Sequence, residues 1–180
     1  MQSLATMLAT VMSSESVMAR EKSHVTYMLP SPLNDTYPKG FGIRESRALI
    51  SALGTTGLRT WEGALHLANY LMTPTGTKHV QNKVVLELGA GTGLIALLCA
   101  KFLHAKRVIA TDGVASIVEE MRETIDRAGL GMADNIECKR LTWGWSLRAV
   151  LSDEQGQWQP IDIVLGADIV STWAQEIMIK

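Results

Sequence analysis

The sequence is poor in cysteine. Its two cysteines, Cys99 and Cys138, make no CxxC pair and are too few for a disulfide framework. Cys99 lies in the apolar run Leu94 to Ala100 and reads as a small core residue, while Cys138 alternates with apolar Ile136. The four histidines, His24, His66, His79 and His104, are scattered, so no metal site is expected. Charge of one sign is also lacking. Seventeen basic residues against eighteen acidic ones leave a net charge of −1, with no Lys/Arg cluster. That excludes the electrostatic footprint of a nucleic-acid binder. No apolar run reaches bilayer-spanning length, so no membrane association is expected. The segment Met1 to Met18 lacks the basic region of a secretory signal, and Glu15 with no arginine before Arg20 argues against a mitochondrial presequence. A reduced, cytoplasmic setting fits these absences, and no internal repeat is found.

What is present is a chain of 180 residues, 47% hydrophobic, enough for one domain with a sizeable core. Residues 1–40 are read as a poorly ordered or partly helical N-terminal segment, loop-rich around Pro30, Pro32 and Pro38. Residues 41–180 are read as the domain proper. Glu45 to Leu53 has a helical pattern, stopped by Gly54. From Trp61 the pattern is helical again, with Thr60 as N-cap and Thr73-Pro74-Thr75-Gly76 as its end.

Strands and helices then alternate. Val84 to Leu88 reads as a buried strand, Thr92 to Leu103 as an apolar helix, and Arg107 to Thr111 as a second strand. Ala115 to Ala128 reads as an amphipathic helix with Ile117, Val118, Met121 and Ile125 inward. Ile136 to Leu141 and Asp162 to Ala167 supply a third and a fourth strand, with partly helical chain between Trp143 and Val150. This alternation implies an α/β fold with a parallel sheet covered on both faces.

The loop Gly89-Ala90-Gly91-Thr92-Gly93 leaves the first of these strands and enters a helix. Glycine permits a sharp turn and close approach of a ligand to the backbone. A dinucleotide fold wants G-x-G-x-x-G, but Leu94 stands at the third glycine position. Glu87 precedes the loop by two residues and would repel a pyrophosphate, whereas it would face the cationic methionine end of S-adenosyl-L-methionine. Asp112 follows the loop by about 20 residues, where a carboxylate can accept ribose hydroxyls. Taken alone, Asp112 is equally a turn residue before a helix.

Three blocks together resemble the seven-β-strand protein-lysine methyltransferases that modify translation elongation factors and chaperones. They are Gly57 to Ala68 (G-L-R-T-W-E-G-A-L-H-L-A), the V-L-E-L-G-A-G-T-G-L loop, and Leu141-Thr142-Trp143-Gly144 with Asp162 to Asp168. The wording T-T-G-L-x-T-W-E is most similar to the elongation factor 2 lysine methyltransferase branch. The resemblance implies a Rossmann-like class I methyltransferase sheet with an N-terminal helical extension. It also implies S-adenosyl-L-methionine as cofactor and a monomer acting on a protein substrate, an elongation factor or a chaperone.

The resemblance further assigns roles by position. Trp61 would border the cofactor pocket. Gly89, Ala90 and Gly91 would touch the methionine and ribose end, and Asp112 the ribose. Trp143 would lie against adenine, and Ala167 would be a small neighbour of the cofactor. Methyl transfer to lysine needs alignment and exclusion of water more than dedicated catalytic groups. On the substrate side the family has D-x-x-Y or D-x-x-F. Here Asp168 is present as the candidate catalytic residue, but Ser171 replaces the aromatic.

The sheet is expected to be incomplete, about four of seven strands, because the chain reaches Lys180 shortly after the fourth. Val170-Ser171 is what GTGAGT or GTAAGT encodes, a splice-donor-like sequence, so intron read-through would account for a C-terminal truncation; the alternative is a divergent, genuinely short protein. Transcript sequencing tests this, and mature mRNA continuing in frame to a stop refutes it. Two other readings stand beside the protein-lysine enzyme: a non-catalytic cofactor- or partner-binding fragment, and a small-molecule methyltransferase.

Overall fold

The computed structural model describes residues 22–28, 40–46, 56–129, 135–144, 147–152, 156–157 and 160–169. The elements are β1 (Lys22–Met28), β2 (Gly40–Ser46), α1 (Glu62–Leu71), α2 (Pro74–Val80), β3 (Val84–Leu88), α3 (Leu94–Lys101), β4 (Arg107–Asp112), α4 (Ala115–Arg127), β5 (Ile136–Arg140), α5 (Arg148–Leu151) and β6 (Ile163–Gly166). Strands β3 to β6 form a parallel sheet in the order β5-β4-β3-β6, and β1 and β2 form a separate antiparallel pair. The sheet matches the α/β expectation, with four strands among the described residues.

The register sets up the site. Leu88 on the central strand β3 pairs with Thr111 of β4 on one side and with Gly166 of β6 on the other. One residue further on, Gly89, Asp112 and Ala167 therefore emerge at the same level, at the carboxyl ends of three adjacent strands. Open α/β sheets bind ligands there.

Burial explains the layers. Val85 and Val108 have no exposure and face a core built with α3, on which Leu94 to Ala100 are all buried. A helix apolar all round must be covered on every side. Phe41 and Ile43 of β2 join the same core, with Phe41 stacked on Phe102 at 5.7 Å. Helix α4 turns Ile117, Val118, Met121 and Ile125 inward, as its periodicity predicts. Leu86 and Ile109 face the opposite side of the sheet and pack with Leu141, Val150 and Leu151. Among the described residues, no helix is long and apolar enough to cross a membrane.

Three expectations are corrected, and a fourth holds with an addition. The N-terminal extension, read as irregular or helical, contains strand β1 instead, and β1 pairs with β2 across the expected boundary at residue 40. The helix expected from Glu45 meets a strand at its start, because Glu45 and Ser46 close β2; the remainder of that stretch, 47–53, lies outside the described residues. Thr60 is not the cap of α1. The N-cap position is Trp61, which makes no side-chain cap bond, and Thr60 is engaged elsewhere. Finally, Thr73-Pro74 ends α1 but also starts α2. The Thr73 hydroxyl accepts the Gly76 N–H at 3.0 Å, with proline in the first turn, where its missing N–H costs nothing.

Candidate cofactor site

The loop after β3 turns on alternate glycines. Gly89, Gly91 and Gly93 have φ of 62°, 53° and 82°, a left-handed backbone that costs other L-residues about 1–2 kcal/mol each. The turn is held by Ala90 N–H donating to Thr111 O at 2.8 Å and Gly93 N–H donating to Ala90 O at 2.8 Å. Gly91 N–H donates to Asp112 Oδ2 at 3.2 Å, while Val114 N–H donates to Asp112 Oδ1 at 3.0 Å. The Asp112 carboxylate is thus braced by two backbone donors at the end of β4, half-buried beside the loop.

Glu87, on β3, is the most perturbed acid of the site. It is 4% exposed, and its Oε2 has no hydrogen-bond partner. Burial pushes its carboxyl from 4.5 up to about 8, opposed by the Ala96 N–H and reinforced by the nearby Asp112 charge. Ala96 belongs to the first turn of α3, where N–H groups lack intrahelical partners. Glu87 therefore serves the helix N-terminus and leaves one buried oxygen unsatisfied, an arrangement costly to a protein unless a ligand completes it.

Aromatic groups frame the opening. The indole N–H of Trp61 donates to Thr56 O at 2.9 Å, and the Arg59 guanidinium lies 5.6 Å from its ring centroid. Trp143 packs against the Leu86–Ile109 core from the other side. Ile169 lies over Gly89, where an added Cβ would come within 2.9 Å of its Cγ2. Asp168 has a left-handed backbone, φ 52°, and its Oδ2 accepts the Gly63 N–H at 2.7 Å.

All nine residues singled out from the sequence line one cavity of about 670 Å³: Trp61, Glu87, Gly89, Ala90, Gly91, Asp112, Trp143, Ala167 and Asp168. Such a volume is typical of small-molecule sites. The unsatisfied Glu87 oxygen suits a cationic group, the braced Asp112 carboxylate suits hydroxyl donors, and the Trp143 ring suits a flat heterocycle, so these side chains fit S-adenosyl-L-methionine. Sequence reasoning missed Thr56, Arg59, Thr60, Thr92, Val114 and Ile169, which also line the cavity. Arg59 and Thr60 lie inside the Gly57–Ala68 block and could have been found from it; Ile169 carries no sequence signal. Ser171 lies outside the described residues. No group of three potential metal ligands occurs among the described residues.

A parallel sheet ordered β5-β4-β3-β6, a glycine turn after its central strand and an acid closing the next define a Rossmann-like methyltransferase fold. A family model described as "Lysine methyltransferase" matches residues 49–176, and the chain belongs to that family. It is 43% identical to protein-lysine N-methyltransferase EFM3 of Chaetomium thermophilum over 172 residues, 94% of this chain and 50% of that protein. It is 33% identical to human protein-lysine N-methyltransferase EEF2KMT over 165 residues, 87% of this chain and 46% of that protein. EFM3 of Saccharomyces cerevisiae matches at 34% over 141 residues, 71% of this chain and 39% of that protein. The chain spans about half the length, or less, of these curated relatives.

Proposed function

We propose that this chain binds S-adenosyl-L-methionine in the cavity at the ends of β3, β4 and β6. We further propose that it serves methylation of a lysine in a protein substrate, a translation elongation factor. The observation that carries this is the buried, unpartnered Oε2 of Glu87 beside the glycine turn. The elongation-factor reading rests on the T-T-G-L-x-T-W-E wording and on the similarity to EFM3 and EEF2KMT.

In this reading Glu87 takes the methionyl ammonium and Asp112 accepts the ribose hydroxyls. Trp143 covers the adenine, and Ala167 leaves room at the end of β6. The bound cofactor supplies a methyl group already activated on a sulfonium sulfur. Trp61 and Ile169 keep water from the reacting end, which favours in-line alignment with the incoming amine. A lysine of ordinary pKa, about 10.4, must lose its proton before it can attack. Asp168, exposed at the rim, is placed to receive the ammonium form and pass its proton to water.

The test is transfer of radiolabelled methyl into a eukaryotic lysate and into purified elongation factor 2. Lysine labelling that disappears with Asp112→Ala supports the enzyme reading. Binding of the cofactor with no labelling of either supports a binding-only chain.

A further inference from the structure

A buried carboxylate outside the cavity joins the N-terminal hairpin to the glycine loop. On β2, Phe41, Ile43 and Glu45 are buried while Gly42 and Arg44 are exposed. Glu45, 3% exposed, thus takes an inward position where its strand is otherwise apolar. Such a group is tolerated only with partners. Its Oε1 accepts the Tyr27 hydroxyl at 2.6 Å, and its Oε2 accepts the backbone N–H of Thr60 at 2.8 Å. Thr60 Oγ1 is in turn 2.7 Å from Thr92 Oγ1, and both residues are buried. Thr92 stands between Gly91 and Gly93.

We propose that Tyr27, Glu45, Thr60 and Thr92 form a positioning relay through which the hairpin holds the glycine loop in its binding geometry. Glu45 is the positioning residue at its centre. Glycine has more conformational freedom to lose than any other residue, so a loop with three left-handed glycines is costly to order. A hydroxyl tether at Thr92, anchored on a buried carboxylate, restricts that freedom before the ligand arrives. Preorganisation of this kind is expressed as affinity. The effect on affinity rests on the proposed cofactor site; the effect on the loop does not.

The experiment is amide hydrogen exchange of the full 180-residue chain, read at residues 89–93, together with titration by S-adenosyl-L-methionine. Thr60→Val preserves volume and removes the hydroxyl. It is expected to speed loop exchange at least tenfold and to weaken binding at least tenfold, and Glu45→Ala is expected to do the same. Thr60→Ser restores both. Tyr27→Phe deletes one hydroxyl in the hairpin and speeds exchange of the distant loop about threefold. Folding is checked by far-UV circular dichroism; if the valine and alanine variants do not fold, Tyr27→Phe decides. Wild-type loop exchange in Tyr27→Phe, or in folded Thr60→Val, overturns the relay, as does a serine variant no better than valine. If the wild-type chain binds no cofactor, the site reading fails, while loop exchange still decides the relay.

Discussion

Asp168 and Gly63 lie 105 residues apart, yet the Asp168 carboxylate caps helix α1 by accepting the Gly63 N–H at 2.7 Å. The local cap position, Trp61, makes no side-chain bond, so a first-turn donor of α1 is satisfied from the end of β6. The fit is tight: a Cβ on Gly63 would stand 2.6 Å from the Asp168 carboxyl carbon and oxygens. Asp168→Ala is expected to cost about 1 kcal/mol, as loss of a cap does. Asp168→Asn, which keeps an acceptor and tolerates the left-handed backbone, is expected to cost less. Gly63→Ala should destabilise despite alanine's better helix propensity. Urea denaturation measures all three; an Asp168→Ala midpoint equal to wild type would show that the cap carries no stability.

If the proposed site binds the cofactor through Glu87, binding is expected to be pH-dependent. With its carboxyl raised to about 8, the ligand-free protein holds it largely protonated at pH 7. A cationic ligand favours the carboxylate, so binding releases a proton below about pH 8. Affinity should therefore rise with pH towards 8, and fall again where the ligand's own ammonium loses its proton. Titration calorimetry in buffers of different ionisation enthalpy detects the proton. Glu87→Gln should bind more weakly and without this dependence.

The same group shapes stability without ligand. Its folded value exceeds the unfolded one, 4.5, so between the two the native state holds more protons than the unfolded state. The Glu87 contribution is full below about pH 4.5 and is lost as pH rises through about 8. Relative to Glu87→Gln, the wild-type chain should lose stability across that window. Parallel slopes for the two proteins in thermal melts would contradict this.

The two cysteines should be inert while the chain is folded. Both are buried. Burial chiefly raises the Cys99 thiol, with help from Glu87, and raises Cys138 to about 12 despite the neighbouring Arg122. The thiolate is the reactive form, so a thiol reagent at pH 8 should label neither until denaturant is added. Rapid native labelling would mean the core opens readily.

The sheet and the residues at its carboxyl ends were legible because their signals are local. β3, β4 and β6 are short apolar runs, and α4 repeats its apolar residues at helical spacing. The glycines and Asp112 follow strand ends at a spacing that the fold imposes. The hairpin was hidden because Phe41 and Ile43 alternate properly but Glu45 continues their pattern with a charge. That charge is sensible only beside Tyr27 and Thr60, and neither is near it in sequence. Thr60 looked like a cap because threonine before a helix usually is one; here its hydroxyl is spent on Thr92. No local pattern could have announced that Asp168 caps α1, since donor and acceptor meet only after β6 docks beside β3.

Glu87, Asp112 and Trp143 line one cavity, proposed above as the cofactor site. Calorimetric titration of the folded 180-residue chain with S-adenosyl-L-methionine is the decisive measurement for that site. Saturable binding at one site is expected, weakened at least tenfold by Asp112→Ala in a variant that remains folded. No binding by a folded wild-type sample, or an Asp112→Ala variant that binds as wild type does, would contradict it.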